Sequence, residues 1–217
     1  MDGAPFAEEQ PDPRRGFLWP GAAPMEAGSG RVSVGALGGW LLLEPFFVDV
    51  PVPLAGAAAE LSAAWAPTER LAFTAAGGAG ALTTGDVGVA GLATARLVAF
   101  DGERLRVAPW VAGGLAGEPF ATGGVALETA FYDVAIDVSV PFGGAAFGDD
   151  VSFVPTMLLA EAGFTWRLGE HTRFRLGYVA AAASWSWRWR KGPLSVELGG
   201  YTNVVSGNLT GRVGVVF

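Results

Sequence analysis

The sequence predicts an all-β chain, closed as a transmembrane antiparallel up-and-down β-barrel of about 12 strands. Three observations predict it. From Arg31 to Phe217, short runs alternate bulky apolar residues on one phase with Gly, Ala, Ser, Thr and scattered charges on the other. Hydrophobic residues make up 51% of the 217 residues and charged residues only 16%, with a single lysine, Lys191, which is a poor composition for a water-facing surface. The alternation also runs through the last residue, so Phe217 closes a strand rather than a polar tail.

Residues 1–29 carry no period and are rich in Pro, Gly and acid, which predicts a flexible N-terminal arm or a plug, with the barrel over 30–217. The stretch "MDGAPFAEEQPDPRRG" lacks a basic start followed by an apolar core and is not a signal peptide. It reads as a mature start with the export signal already removed. Pro5, Pro11, Pro13 and Pro20 argue against a helix threading the pore, as an autotransporter translocator would need.

Strands are expected at about 31–41, 55–65, 70–79, 86–99, 104–114, 122–131, 134–142, 156–167, 172–180, 184–190, 194–202 and 208–217. In "GGVALETAF", Val125, Leu127, Thr129 and Phe131 oppose Ala126, Glu128 and Ala130. In "VAIDVSV", Val134, Ile136, Val138 and Val140 oppose Ala135, Asp137 and Ser139. The runs "LLAEAGFTWR", "RFRLGY", "SWSWRWR" and "LSVELGGY" place Glu161, Arg173 with Arg175, Arg188 with Arg190, and Glu197 on the small-residue phase. Tight turns alternate with longer connections along the chain, as in a barrel with short turns at one end and loops at the other. If "RFRLGYVAAAASWSWRWR" ran as one strand, even parity would give ten strands instead.

A soluble sandwich has one apolar buried face and one polar wet face. Here the second face is small, which is the inverted arrangement of a barrel in lipid. Trp65, Phe131, Trp166, Phe174 and Phe217 fall at one height on the outward phase and are expected as an aromatic girdle. The alternate apolar positions Leu209, Val213 and Val215 before a terminal Phe217, with Gly211 a poorer match, resemble the C-terminal signal of bacterial outer-membrane β-barrel proteins. That resemblance implies a location in the bacterial outer membrane, contact with its lipids and lipopolysaccharide, and insertion by the barrel-assembly machinery. It implies no activity.

Little in the chain points to chemistry. The net charge of −7 disfavours nucleic-acid binding, and the absence of cysteine removes disulfides and thiolate metal sites. His171 is the one histidine, expected in a turn away from any Ser–His–acid set, so no catalytic residue and no enzyme activity are expected. The adjacent Asp149 and Asp150 read as a solvated loop tip rather than a Ca²⁺ site, and "GGAGALTTGD" lacks the Lys and spacing of a phosphate loop, so no metal or cofactor is expected. "NLT" at 208–210 begins a strand and is not read as a glycosylation site.

The functional candidates are the inward charges: Glu128, Asp137 and Glu161 on successive strands, then Arg173, Arg175, Arg188, Arg190 and Arg212 on the strands that follow. Lining a narrow passive pore, they would favour small, anionic solutes. Paired with one another they would seal the lumen instead. In that case the barrel would be a non-conducting anchor or adhesin, its outer acids (Glu44, Asp49, Asp86, Glu118, Asp149, Asp150) holding divalent cations against lipopolysaccharide.

Overall fold

A computed structural model describes residues 20–43, 52–116, 118–131, 133–147, 160–179, 182–203 and 206–217. The chain forms β1 (Gly30–Leu43), β2 (Val52–Trp65), β3 (Leu71–Leu82), β4 (Val87–Leu97), β5 (Phe100–Asp101), β6 (Arg106–Ala116), β7 (Glu118–Phe131), β8 (Val134–Phe147), β9 (Glu161–Arg167), β10 (Thr172–Val179), β11 (Ala182–Lys191), β12 (Leu194–Thr202) and β13 (Ser206–Val216). Apart from the short β5, every strand pairs antiparallel with its sequence neighbours around the barrel. β4 pairs with β6, and β1 pairs with β13, so the sheet closes on itself as a 12-strand barrel. β5 is a two-residue ribbon that folds back on β6.

The alternation sets which face each residue takes. Along β1, Arg31 and Ser33 are buried while Val32 and Val34 are exposed. Along β13, Thr210 and Gly214 are buried while Leu209, Val213 and Val215 are exposed. Large apolar groups therefore cover the outside of the cylinder, and small or charged ones line the inside. Closure leaves no unpaired strand edge between the first and last staves, which is what makes a sheet tolerable in hydrocarbon.

The region 172–190 is two strands, since Val179 pairs with Ala182 across a short link, and the ten-strand alternative falls. Strands extend further than the alternation alone indicated at the loop end. β6 and β7 stay paired up to Ala116 and Glu118, so "AGEPFATG" is part of a hairpin and Glu118 is a strand residue, not a loop acid. β8 likewise runs to Phe147, with an irregularity in register between Ala121 and Gly123 on β7. The ladder partner supplies the hydrogen bonds there, so a Gly- and Ala-rich stretch holds strand geometry with little help from side-chain pattern. The start of the strand expected from 156, together with Glu44, Asp49, Asp149 and Asp150, lies outside the described residues.

The opposite end carries the tight turns. β11 and β12 join through Gly192–Pro193 between the paired Lys191 and Leu194, with Gly192 at φ 58°. Glycine at the first place of a two-residue hairpin loop gives the positive φ that keeps both strands twisted in the same sense. His171 is exposed in the β9–β10 turn. At the loop end, Asp86 in the β3–β4 link accepts a 2.6 Å hydrogen bond from the Thr84 hydroxyl.

Candidate functional site: the charged lumen

The inward phase brings the sequence-predicted charges together at the turn-proximal half of the barrel. Arg175 on β10 is the centre of one group. Its Nη2 donates to Asp137 Oδ2 at 2.6 Å and its Nε to Oδ1 at 3.3 Å, while Nη1 lies 3.0 Å from Glu161 Oε1. The three side chains are 4%, 5% and 0% exposed. β9 makes this possible through Gly163, which pairs with Gly177 and faces inward between Glu161 and Thr165. A side chain there would collide with the Arg175 guanidinium. Replacement of Gly163 by valine should therefore displace Arg175 from both acids and lower the urea midpoint of the folded barrel, whereas the outward Phe164→Leu should leave it nearly unchanged.

A second group surrounds Glu197 on β12. Arg212 Nη1 lies 3.2 Å from Glu197 Oε1, while Arg188 Nε at 3.2 Å and Arg31 Nη1 at 3.6 Å face Oε2. Arg212 also donates from Nε and Nη2 to the two carboxylate oxygens of Glu60, at 3.1 and 3.0 Å, in a forked pair. A third group joins Arg106 to Asp101 at 2.9 Å and to Glu128 at 3.0 Å. The acids of β7–β9 and the arginines of β10–β13 do not stay on separate walls. Arg175 reaches back across β9, and Glu60, Glu197 and Arg106 break the expected segregation.

Glu60, Glu197, Arg31, Arg96 and Arg106 are therefore as much part of the lumen as the eight residues read from sequence. Phase would have found them: Glu60 shares its face with Ser62, and Arg31 with Ser33. Arg173 is buried on the same face, and Arg190 lies at the turn, where its Nε donates to the Gly192 carbonyl at 3.3 Å. Among the described side chains of the strands, Arg31, Arg96, Arg106, Arg167, Arg173, Arg175, Arg188, Arg190 and Arg212 take the inward phase against Glu60, Asp101, Glu128, Asp137, Glu161 and Glu197. That is nine arginines to six carboxylates, an inward excess of three positive charges in a chain of net charge −7.

The other wall is small and partly apolar. Ala108, Trp110, Ala112 and Ala126 pack with Val98 and with Ala22, which precedes the first strand. Trp110 lies across the inward face of β7 and donates from Nε1 to Ser139 Oγ on β8 at 3.1 Å. Gly124 leaves the room, since a Cβ there would meet the indole. Toward the loop end the inward positions of β2–β4, such as Gly56, Ala58, Gly78 and Ala90, become half-buried or exposed.

On the outside, Trp65, Phe131 and Phe217 are exposed at the turn end, and Trp166 and Phe174 stack at 6.3 Å between ring centroids. Phe73 stacks on Trp65 at 6.3 Å and Phe164 on Trp166 at 6.2 Å, both missed from sequence.

No protein-family model and no curated protein sequence matches the chain. Solved structures do. An outer membrane channel of Pseudomonas putida F1 superposes with a TM-score of 0.61 at 12% identity, covering 92% of this chain and 100% of that one. The fold is that of the bacterial outer-membrane β-barrels. The barrel also resembles the translocator domain of the autotransporter NalP from Neisseria meningitidis, with a TM-score of 0.50 at 13% identity over 89% of each chain. Escherichia coli outer membrane phospholipase A gives a TM-score of 0.47 at 8% identity over 93% of each chain, a likeness too slight to bear on catalysis in this barrel.

Proposed function

We propose that the protein is a narrow passive channel of the bacterial outer membrane that passes small solutes and favours anions. The observation that carries this reading is the inward excess of arginine: a lumen lined by guanidinium groups attracts anions and repels cations. The fold shared with an outer membrane channel supports the setting, as does the apolar outer face, which suits hydrocarbon. No catalytic step is part of this reading.

A second reading, a non-conducting anchor, draws on the burial of Arg175 with Asp137 and Glu161, since paired charges at 0–5% exposure fill a lumen rather than line a path. Planar-bilayer recording separates the two. The channel reading expects discrete conductance steps and a reversal potential of anionic sign in a KCl gradient. Arg188→Glu with Arg190→Glu changes the inward charge by four and turns the excess of three positive charges into a small negative one, which should abolish or invert that preference, with heat-modifiable gel migration showing that the barrel still folds. Silence of the unaltered protein at every voltage favours the anchor.

A further inference from the structure

The segment 20–29 leads into β1 at the turn end, and its contacts are with the inside of the barrel. Ala22 is fully buried against the inward-facing Ala108, Trp110, Ala112 and Ala126. Met25 is buried with Ala66 and Ala72. Arg96, inward on β4 and 1% exposed, donates from Nη1 to the Gly21 carbonyl at 2.6 Å and also to the Ala23 carbonyl. One guanidinium thus grips the peptide on both sides of Ala22. Further along, Gly28 N–H donates to the Ala66 carbonyl at 2.7 Å, and Gly28 takes φ 79°, which turns the segment into β1.

The lumen at this level therefore has two unlike halves. The β8–β13 side is closed by ion pairs between barrel strands, which cannot leave without unpairing the wall. The β3–β7 side carries the Arg106–Glu128 pair at its turn end and is otherwise closed by a peptide with two carbonyls on Arg96 and with Ala22 against Trp110 and small side chains. Pro20 and Met25 are buried at the two ends of the segment and Met25 N–H donates to the Glu69 carbonyl at 3.3 Å, whereas Ala22 and Ala23 between them bury little apolar area, so at 21–23 the charged hydrogen bonds to Arg96 are the main hold.

We infer that residues 20–25 are a releasable plug latched by Arg96, and that its departure opens a path along the small-residue wall of β3, β4, β6 and β7. Departure also uncovers the Arg96 guanidinium on that path, where its donors face an anion in place of the two carbonyls. The path deepens the channel reading and rests on it, whereas the plug itself does not.

Ala22→Cys gives the full-length chain its only thiol. In the folded protein in detergent, a membrane-impermeant methanethiosulfonate reports how often the segment leaves. Labelling should be slow with Arg96 in place and faster by about tenfold or more with Arg96→Ala, since a hydrogen bond from a charged donor carries at least that factor. Ala126→Leu, which fills the Ala22 seat from the wall and leaves Arg96 untouched, should accelerate labelling too and serves if Arg96→Ala does not fold. Equal rates in the parent and both variants, or rapid labelling of the parent, overturn the plug. Conductance of Arg96→Ala is recorded alongside. Faster labelling with silent bilayers upholds the plug and removes the channel, whereas conductance in every variant with unchanged labelling upholds the channel and removes the plug.

Discussion

Replacing Arg175 with methionine should destabilise the barrel by about 3–5 kcal/mol, the cost of leaving buried carboxylates without their cation. Asp137 and Glu161 are 5% and 0% exposed, and Arg175 is shared between them at 2.6 and 3.0 Å. Neither acid has water to turn to when the guanidinium goes, and the two then face each other as diagonal neighbours on the adjacent strands β8 and β9. The measurement is the urea midpoint for unfolding of the barrel in lipid vesicles, followed by loss of heat-modifiable migration. The triple variant Arg175→Met with Asp137→Asn and Glu161→Gln should recover most of the loss, because replacing a whole buried ionic group is often close to neutral. An equal loss in the single and triple variants would mean that the side-chain shapes, and not the charges, hold this part of the lumen.

Arginine placed on the outside should behave in the opposite way to arginine inside. Val125 is on the outward phase of β7, opposite Val140 on β8 and Pro109 on β6, near the middle of its strand. Val125→Arg should cost about 2–4 kcal/mol, the range for a cation held at the bilayer midplane, and Leu97→Arg at the turn end only about 0–1 kcal/mol, where the side chain reaches the interface. Both positions lie on the same face, so the difference isolates depth. Two near-zero values would mean that this face lies in water.

These expectations draw on the part of the molecule that the sequence made legible. Alternation with period 2 names the face of every residue once one residue is placed, so Glu128, Asp137, Glu161, Arg175 and Arg212 could be assigned inward with no knowledge of pairing. Strand order followed from the short links, since neighbours in an up-and-down barrel are neighbours in sequence. Register did not follow. Asp137 pairs with Gly163 and Gly163 with Gly177, and only that pairing shows that Arg175 lies over a glycine and reaches two acids. The expectation of acids and arginines on separate walls failed for this reason, because it treated strands as columns and left out Arg side chains long enough to cross one.

Loop-end boundaries were also illegible. Gly and Ala occupy both phases around 112–124 and 75–81, so no alternation marks where pairing ends, and the ladder alone decides. The placement of 20–29 was beyond sequence reasoning for a related cause. Gly21 has no side chain and Ala22 only a methyl group to signal a docking site, and the attachment to Arg96 is made by the carbonyl oxygens of Gly21 and Ala23, which every residue has.

The claim beneath all of this is that the bulky phase faces acyl chains. Trp40, Trp65, Trp166, Trp185, Trp187 and Trp189 lie on that phase, and Trp110 lies on the other. The protein reconstituted in vesicles whose lipids carry bromine on the acyl chains tests it by tryptophan emission. Most of the emission should be quenched by the brominated chains and little of it by iodide in the surrounding water, with the residual emission falling further in Trp110→Phe. Full emission in brominated vesicles together with strong quenching by iodide would contradict the orientation, and the lumen assignments would be wrong with it.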